Sequence, residues 1–386
     1  MKKEAIDRKN GTSNIVLLGG SSFFNDVGSE MITPILPFYI TALGGGGIAV
    51  GLISGLREGL ASILKIAGGW FSDRIGKRLP IIAVGYFISA LLKFLMGFAG
   101  SYQQLIAFVS FERAGKMRDA PRDAIITLST KKKGRGFGIH QMMDSAGGIF
   151  GTLIVLLLLW KLNLQFNSII FIAAGISVLS LLPLLFVKEP KTLPIKKSLF
   201  KGLSSLDKKL KYIIFVTSVF ALANFGVYLF FLLRVRDITG SIITSLILYI
   251  IFNIVYTIFP IITGNISDKM GRKRILIFGY VLMFVVAIGF AFLSSLYSLV
   301  ILFALYGLVM AITEPVQKAF VADFAGKEKG TALGAYHSAR GITTIIAGII
   351  AGLIWNLSPQ IMFIYISAIS FLSIILLKFA SEKKQL

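Results

Sequence analysis

The sequence predicts an all-α membrane protein of twelve transmembrane helices arranged as two pseudo-symmetric six-helix bundles. Three observations carry that prediction. Hydrophobic residues make up 55% of the 386 and mean hydropathy is +0.81, more apolar side chain than one water-soluble core can hide. Twelve mostly apolar stretches each approach or exceed the ~20 residues that cross the hydrocarbon of a bilayer. The segment Gly69–Arg78 (GWFSDRIGKR) recurs as Gly264–Arg274 (GNISDKMGRKR), with Asp73 and Asp268 195 residues apart. The chain therefore reads as one apolar unit duplicated almost end to end.

In the first half the stretches are 14–43, 48–71, 79–100, 102–126, 136–160 and 166–187. In the second they are 212–236, 241–266, 275–294, 297–322, 331–355 and 359–379. They lack the short alternation of a membrane β-barrel. Between the halves, 188–211 is basic, holds Pro190 and Pro194, and reads as a linker with a short amphipathic stretch near 199–210. The predicted organisation is thus a bundle at 1–187, a linker at 188–211 and a bundle at 212–386. Further anchors support the repeat: Gly134–Gly138 (GRGFG) aligns with Gly330–Gly334 (GTALG), His140 with Tyr336, Asp144 with Arg340, and Pro121 and Pro315 fall at similar places.

The net charge of +22 resembles a nucleic-acid footprint until its placement is traced. With the N-terminus in the cytoplasm, most of the 40 basic residues fall in cytoplasmic segments, including eight lysines from Lys188 to Lys211, whereas Gly44–Gly47 and Ser101–Gln104 carry none. That asymmetry is the positive-inside bias and predicts a multi-pass cell-membrane protein with both termini cytoplasmic. It argues against a nucleic-acid partner. The chain has no Cys, which excludes disulfides and thiolate metal sites. Its polar start and long first apolar stretch do not fit a cleaved signal peptide.

Twelve helices, a basic mid-chain linker and the G-x-x-x-D-R/K-x-G-R/K-R/K loop in both halves resemble the major facilitator superfamily over essentially the whole chain. Phe24–Pro37 (FNDVGSEMITPILP) resembles a prokaryotic branch of it. The glycine-rich segment Asp144–Gly151 (DSAGGIFG) is similar to that superfamily's antiporter element but has no proline. The resemblance implies alternating access, a monomer, a solute route lined by helices 1, 4, 7 and 10, and a gating role for the repeated loop. The gating candidates are Gly69, Asp73, Arg74, Gly76 and Arg78, with Gly264, Asp268, Gly271, Arg272 and Arg274. On their own chemistry Gly69 and Gly264 favour close packing, the two aspartates suit a helix N-terminus, and Asp123 and Asp323 are candidate partners for the basic residues.

Ionisable residues inside apolar helices are costly and mark cavities or pairs. Helix 1 carries Asn25, Asp26 and Glu30, the acids four apart on one face. Helix 2 has Arg57, Glu58 and Lys65. In helix 4, Glu112, Lys116, Asp119 and Asp123 fall on a helical repeat beside Arg113, Arg118 and Arg122, and helix 5 presents His140 and Asp144. The second half offers Asn224, Tyr228, Glu314, Lys318, Tyr336, His337 and Arg340. The solute and proton candidates are Asn25, Asp26, Glu30, Arg57, Arg118, His140, Asp144, Asn224, Tyr228, Glu314, Tyr336 and Arg340. Lys65 and Lys93 are expected to snorkel to an interface, and Arg122 and Asp123 to form structural ion pairs. Asp26, Glu30, His140 and Asp144 could ligate a hard metal, but no spacing enforces it.

No phosphate-binding loop and few histidines leave an enzyme poorly supported. The expectation is a secondary transporter of a small charged or amphipathic organic solute, without a cofactor and drawing on the proton gradient. A lipid or hydrophobic-drug exporter on the same fold, with Phe220, Phe225, Tyr228, Phe230 and Phe231 receiving a hydrophobic cation, and a non-transporting sensor are the alternatives.

Overall fold

A computed structural model describes residues 8–130, 133–189, 206–325 and 329–380. Every regular element among them is helical. The first half holds α1 (Arg8–Ile32), α2 (Leu36–Ala42), α3 (Gly47–Ile75), α4 (Leu79–Met96), α5 (Tyr102–Glu112), α6 (Asp119–Ser129), α7 (Lys133–Trp160) and α8 (Phe166–Val178). The second holds α9 (Lys208–Ala221), α10 (Tyr228–Thr239), α11 (Ile242–Met270), α12 (Arg272–Phe292), α13 (Leu296–Phe324), α14 (Lys329–Leu357) and α15 (Pro359–Lys378). Among the described residues nine helical segments are long and apolar enough to cross a membrane.

The other three predicted stretches coincide with interrupted helices. In the first, Pro34 and Pro37 follow α1, and Thr33–Ile35 tightens into a 3₁₀ turn before α2, because a proline ring clashes with the preceding turn and removes a donor. In the fourth, Arg113–Arg118 is 3₁₀ between α5 and α6. The seventh breaks between α9 and α10, where Gly226 takes φ +90°, open to glycine and strained for other residues. Pro260 and Pro315, by contrast, lie inside continuous helices. The linker at 190–205 lies outside the described residues, and Lys208–Lys211 form the first turn of α9.

Contacts divide the chain into two compact units: Met1–Leu36 with Ile63–Ser198, and Pro37–Ser62 with Leu199–Leu386. In the first, α1 packs along α7 and α8, and α4 against α8 and the 3₁₀ segment. In the second, α11 packs on α13, α12 on α13 and α15, and α14 on α9. The predicted bundle boundary therefore shifts, since Pro37–Ser62 joins the second unit rather than the first. A seam of small residues explains this. Gly47, Gly51, Gly55 and Gly59 recur every four residues on α3 and face the backbone of α14 at Gly352, Gly348, Thr344 and Gly341. A Cβ on Gly51 would stand 2.0 Å from the Gly348 carbonyl oxygen. Such a seam gains close backbone packing where apolar burial gives no advantage over lipid.

The repeated loops differ in this respect. A Cβ on Gly69 would come within 3.1 Å of Ala120, whereas Gly264 faces open space, so its expected packing role does not hold. Gly51→Ala should therefore lower the unfolding midpoint in detergent, by an overpacking cost of about 1–3 kcal/mol. Gly264→Ala should leave it unchanged or slightly raised. Equal midpoints for the two variants would contradict the seam.

Large apolar side chains such as Phe98, Phe150, Ile261 and Phe371 are exposed along the helices, as expected where the surrounding solvent is hydrocarbon.

Candidate functional site

Each unit contains its own buried polar network. In the first, α1 and α7 meet closely enough that a Cβ on Gly147 or Gly151 would touch the Phe23 or Val27 carbonyl oxygen at 2.6 or 2.4 Å. The glycines of Asp144–Gly151 therefore serve this contact, which brings Ser22 and Asp26 of α1 beside His140 and Asp144 of α7. Ser22 Oγ lies 2.8 Å from the Tyr86 hydroxyl and 3.0 Å from His140 Nε2, and accepts from Arg122 Nη1 at 3.0 Å. His140 Nδ1 is 3.7 Å from Asp144 Oδ2, while the other carboxylate oxygen of Asp144 is buried without a hydrogen-bond partner.

The serine has one proton to give, so the chain has two polarities. Either Tyr86 donates to Ser22 and Ser22 to His140, or His140 donates to Ser22 and Ser22 to Tyr86. Reversing the chain moves the imidazole proton between the Ser22 side and the Asp144 side, which is what a proton relay requires. Arg122 also pairs with Asp119 at 3.6 Å and Asp123 at 3.3 Å, the structural role expected of it.

Lys93 overturns its expected placement. It does not snorkel but is buried, and its ammonium donates to Asn25 O at 3.0 Å, Asn25 Oδ1 at 3.1 Å and Ser177 Oγ at 2.9 Å. Those three acceptors use all three donors of an ammonium. Asn25 in turn donates to Asp26 Oδ1 at 3.1 Å, linking the lysine to a predicted site carboxylate. Lys65 is 3.7 Å from Asp119.

Arg118, predicted on the solute route, is buried and donates to the Gly115 carbonyl at 2.8 Å, with its guanidinium 4.4 Å from the Tyr86 ring centroid. It holds the 3₁₀ segment together rather than facing a ligand. That segment also breaks the helical repeat proposed for Glu112, Lys116, Asp119 and Asp123. Glu112 instead pairs with its neighbour Arg113 at 2.7 Å and accepts from Ser89. Arg57 is buried in α3, and Glu30 is half-buried with its side chain near Gly148 and Gly151.

In the second unit the hydrogen bonds run one way. Arg340 donates to the Tyr336 hydroxyl at 3.2 Å, Tyr336 to Gln317 Oε1 at 3.0 Å, and Gln317 to the Tyr280 hydroxyl at 3.0 Å. Tyr280 stacks on Phe220 at 3.8 Å. Glu314 accepts from Lys318 at 2.9 Å and from the Tyr256 hydroxyl. At the break between α9 and α10, Asn224 accepts from Tyr306 at 3.0 Å, and Ser54 donates to the Gly226 carbonyl at 2.5 Å. Tyr228, Tyr249, Tyr256 and Tyr306 each stack on Phe252, forming an aromatic row around it. Phe220, Phe225, Phe230 and Phe231 are buried, Phe231 stacked 4.1 Å from Phe290, so they pack the unit rather than line a cation route.

The two networks are related by the duplication. Tyr86 corresponds to Tyr280, Arg122 to Gln317, His140 to Tyr336, and Asp144 to Arg340, at offsets of 194–196. Titratable groups occupy the first network and a fixed donor chain the second. Sequence reasoning missed Ser22, Tyr86, Gln317, Tyr280 and the role of Lys93, although applying the repeat offset to Arg122 would have drawn out Gln317.

The loop residues act locally. Arg78 pairs with Asp73 at 3.1 Å, and Arg272 with Asp268 at 3.4 Å and Asp323 at 3.1 Å. Asp323 thus takes the expected partner, and Asp123 pairs with Arg122 instead. Gly76 and Gly271 turn at φ +73° and +94°. Arg74 lies 5.3 Å from the Trp70 ring centroid, and Arg274 is exposed. Glu189 accepts from the backbone of Arg78 and Leu79 at the start of α4, a carboxylate at a helix N-terminus.

The sequence profile of the Major Facilitator Superfamily matches residues 18–233 and 213–386. An uncharacterised MFS-type transporter of Methanocaldococcus jannaschii is 43% identical over 95% of each chain. A multidrug resistance protein MdtH of Proteus mirabilis is 28% identical over 80% of this chain and 78% of its own. Among solved structures, a point mutant of the nucleoside transporter NupG superposes with a TM-score of 0.82 at 14% identity, covering 94% of this chain and 98% of that one. At that identity the likeness shows the fold.

Proposed function

The chain belongs to the major facilitator superfamily and is a multi-pass membrane protein, and on that footing we propose that it is a proton-coupled secondary transporter of a small charged or amphipathic organic solute. It works as a monomer in the cell membrane, with both termini in the cytoplasm, by alternating access. The observation that carries the coupling is the chain from Tyr86 through Ser22 to His140, ending at Asp144 with one carboxylate oxygen unpartnered. A group whose proton occupancy differs between two conformations biases one over the other. Such a group is what converts a proton gradient into work.

Division of labour supports the same reading. The first unit holds the groups that can exchange a proton, and the second holds an arginine steadied by a tyrosine, beside a row of aromatic rings. The loops carrying Asp73 and Asp268 gate the conformational change, with Arg78 and Arg272 setting their conformations.

Uptake into proteoliposomes, with solutes screened under an imposed pH gradient and again without one, tests the proposal. A solute that accumulates only with the gradient is the expected result. Gradient-independent equilibration of every transported solute would remove proton coupling, and binding without flux would favour a sensor.

A further inference from the structure

Two opposite charges in the second unit remain largely unspent. Among the described residues the half-buried Glu58 carboxylate on α3 has no hydrogen-bond or ion-pair partner, and its stem packs against the Gly226 break, 3.3 Å from where a Cβ there would stand. The half-buried Arg340 on α14 gives one N–H to the Tyr336 hydroxyl at 3.2 Å, which fixes its direction. The residues next to them touch, since a Cβ on Gly59 would stand 2.5 Å from the Gly341 carbonyl oxygen, yet the Glu58 and Arg340 side chains make no ion pair within 4.0 Å. Beside them, Phe252 stacks with Tyr228 at 6.3 Å, Tyr256 at 5.9 Å and Tyr306 at 5.2 Å. Glu314, the other acid in this region, is already committed to Lys318 and Tyr256.

Partly buried charges left apart are costly, and a ligand that satisfies both recovers that cost. A cation alone would leave Arg340 unanswered, and an anion alone would leave Glu58 so. The aromatic row adds an apolar surface for the body of the ligand and a negative ring face for an ammonium. We propose that Glu58 and Arg340, with the half-buried rings of Tyr228 and Tyr256 that stack on Phe252, form a recognition subsite for a zwitterion. In it the ammonium is taken by Glu58, the carboxylate by Arg340, and an apolar or aromatic body rests on the rings. The inference rests on the solute-transport reading above and gives that solute its chemical class.

Three probes that share a phenylethyl group separate the charges: phenylalanine, phenethylamine and 3-phenylpropanoate. Binding to the purified full-length protein is read by thermal shift, for wild type, Glu58→Gln and Arg340→Gln. Wild type is expected to be stabilised most by phenylalanine. Glu58→Gln should lose the advantage of phenylalanine over 3-phenylpropanoate, and Arg340→Gln its advantage over phenethylamine. Glu58→Asp and Arg340→Lys keep the charges and should retain the zwitterion preference, which also covers a glutamine variant that fails to fold. Wild type that binds a singly charged probe as well as phenylalanine, or binds none of the three, overturns the subsite. So does an unchanged preference in both glutamine variants. If the subsite fails while another solute still accumulates with the pH gradient, transport stands without it. If the probes are discriminated but nothing is carried, the subsite stands and the transport reading falls.

Discussion

Replacing Asp26 or Asp144 by asparagine is expected to collapse proton-driven accumulation to the level set by the solute gradient alone, while solute exchange across the membrane continues. Asp26 accepts from Asn25, and Asp144 stands 3.7 Å from His140 with its other oxygen unpartnered. The two carboxylates act on each other where Gly147 lets α1 and α7 touch. Adjacent negative charges repel, strongly so away from water, so each proton that binds changes the energy of the pair. Asparagine keeps the shape and the hydrogen bonds but removes the site of protonation. Counterflow, which needs no coupling, separates lost coupling from lost binding. Glu30→Gln should do less, since Glu30 is nearer the 3₁₀ turn at Thr33–Ile35. Full uphill accumulation by both asparagine variants would remove these acids from the mechanism.

Lys93→Met should cost far more stability than an ordinary core change. The substitution keeps much of the volume but strands Asn25 O, Asn25 Oδ1 and Ser177 Oγ without their donor, and removes a positive charge near buried Glu112. Each buried acceptor left without its donor costs about 1–3 kcal/mol. Ser177→Ala, which removes one acceptor, should cost about 1 kcal/mol. Thermal unfolding in detergent checks both. A wild-type midpoint for Lys93→Met would mean that the buried amine contributes nothing to the packing of the first unit.

Fold and repeat were legible because apolar length and a duplicated loop are properties of the chain itself. The helix interruption at Pro34 and Pro37 was legible only in part, since Pro260 and Pro315 lie inside continuous helices. The break at Asn224–Gly226 was not, since nothing local distinguishes Gly226 from the helical glycines around it. Only the φ of +90° does. Lys93 reads as a snorkelling residue in sequence because its three acceptors come from Asn25 and Ser177, far away in the chain. Pro37–Ser62 could not be assigned to the second unit from sequence, because the glycine repeat on α3 does not name the helix it fits. His140 and Asp144 were legible from their spacing, but the serine and tyrosine that turn them into a chain emerge only when α1 and α4 are packed against α7.

In the proposed mechanism, solute and proton movements are tied together in one cycle. Proteoliposomes loaded with a pH-sensitive dye, at equal pH inside and out, test it most directly when a transported solute is added to one side only. Solute flow is expected to change the luminal pH, and the change to disappear in Asp144→Asn while solute exchange remains. Solute entering at the full rate with the luminal pH unmoved would contradict it.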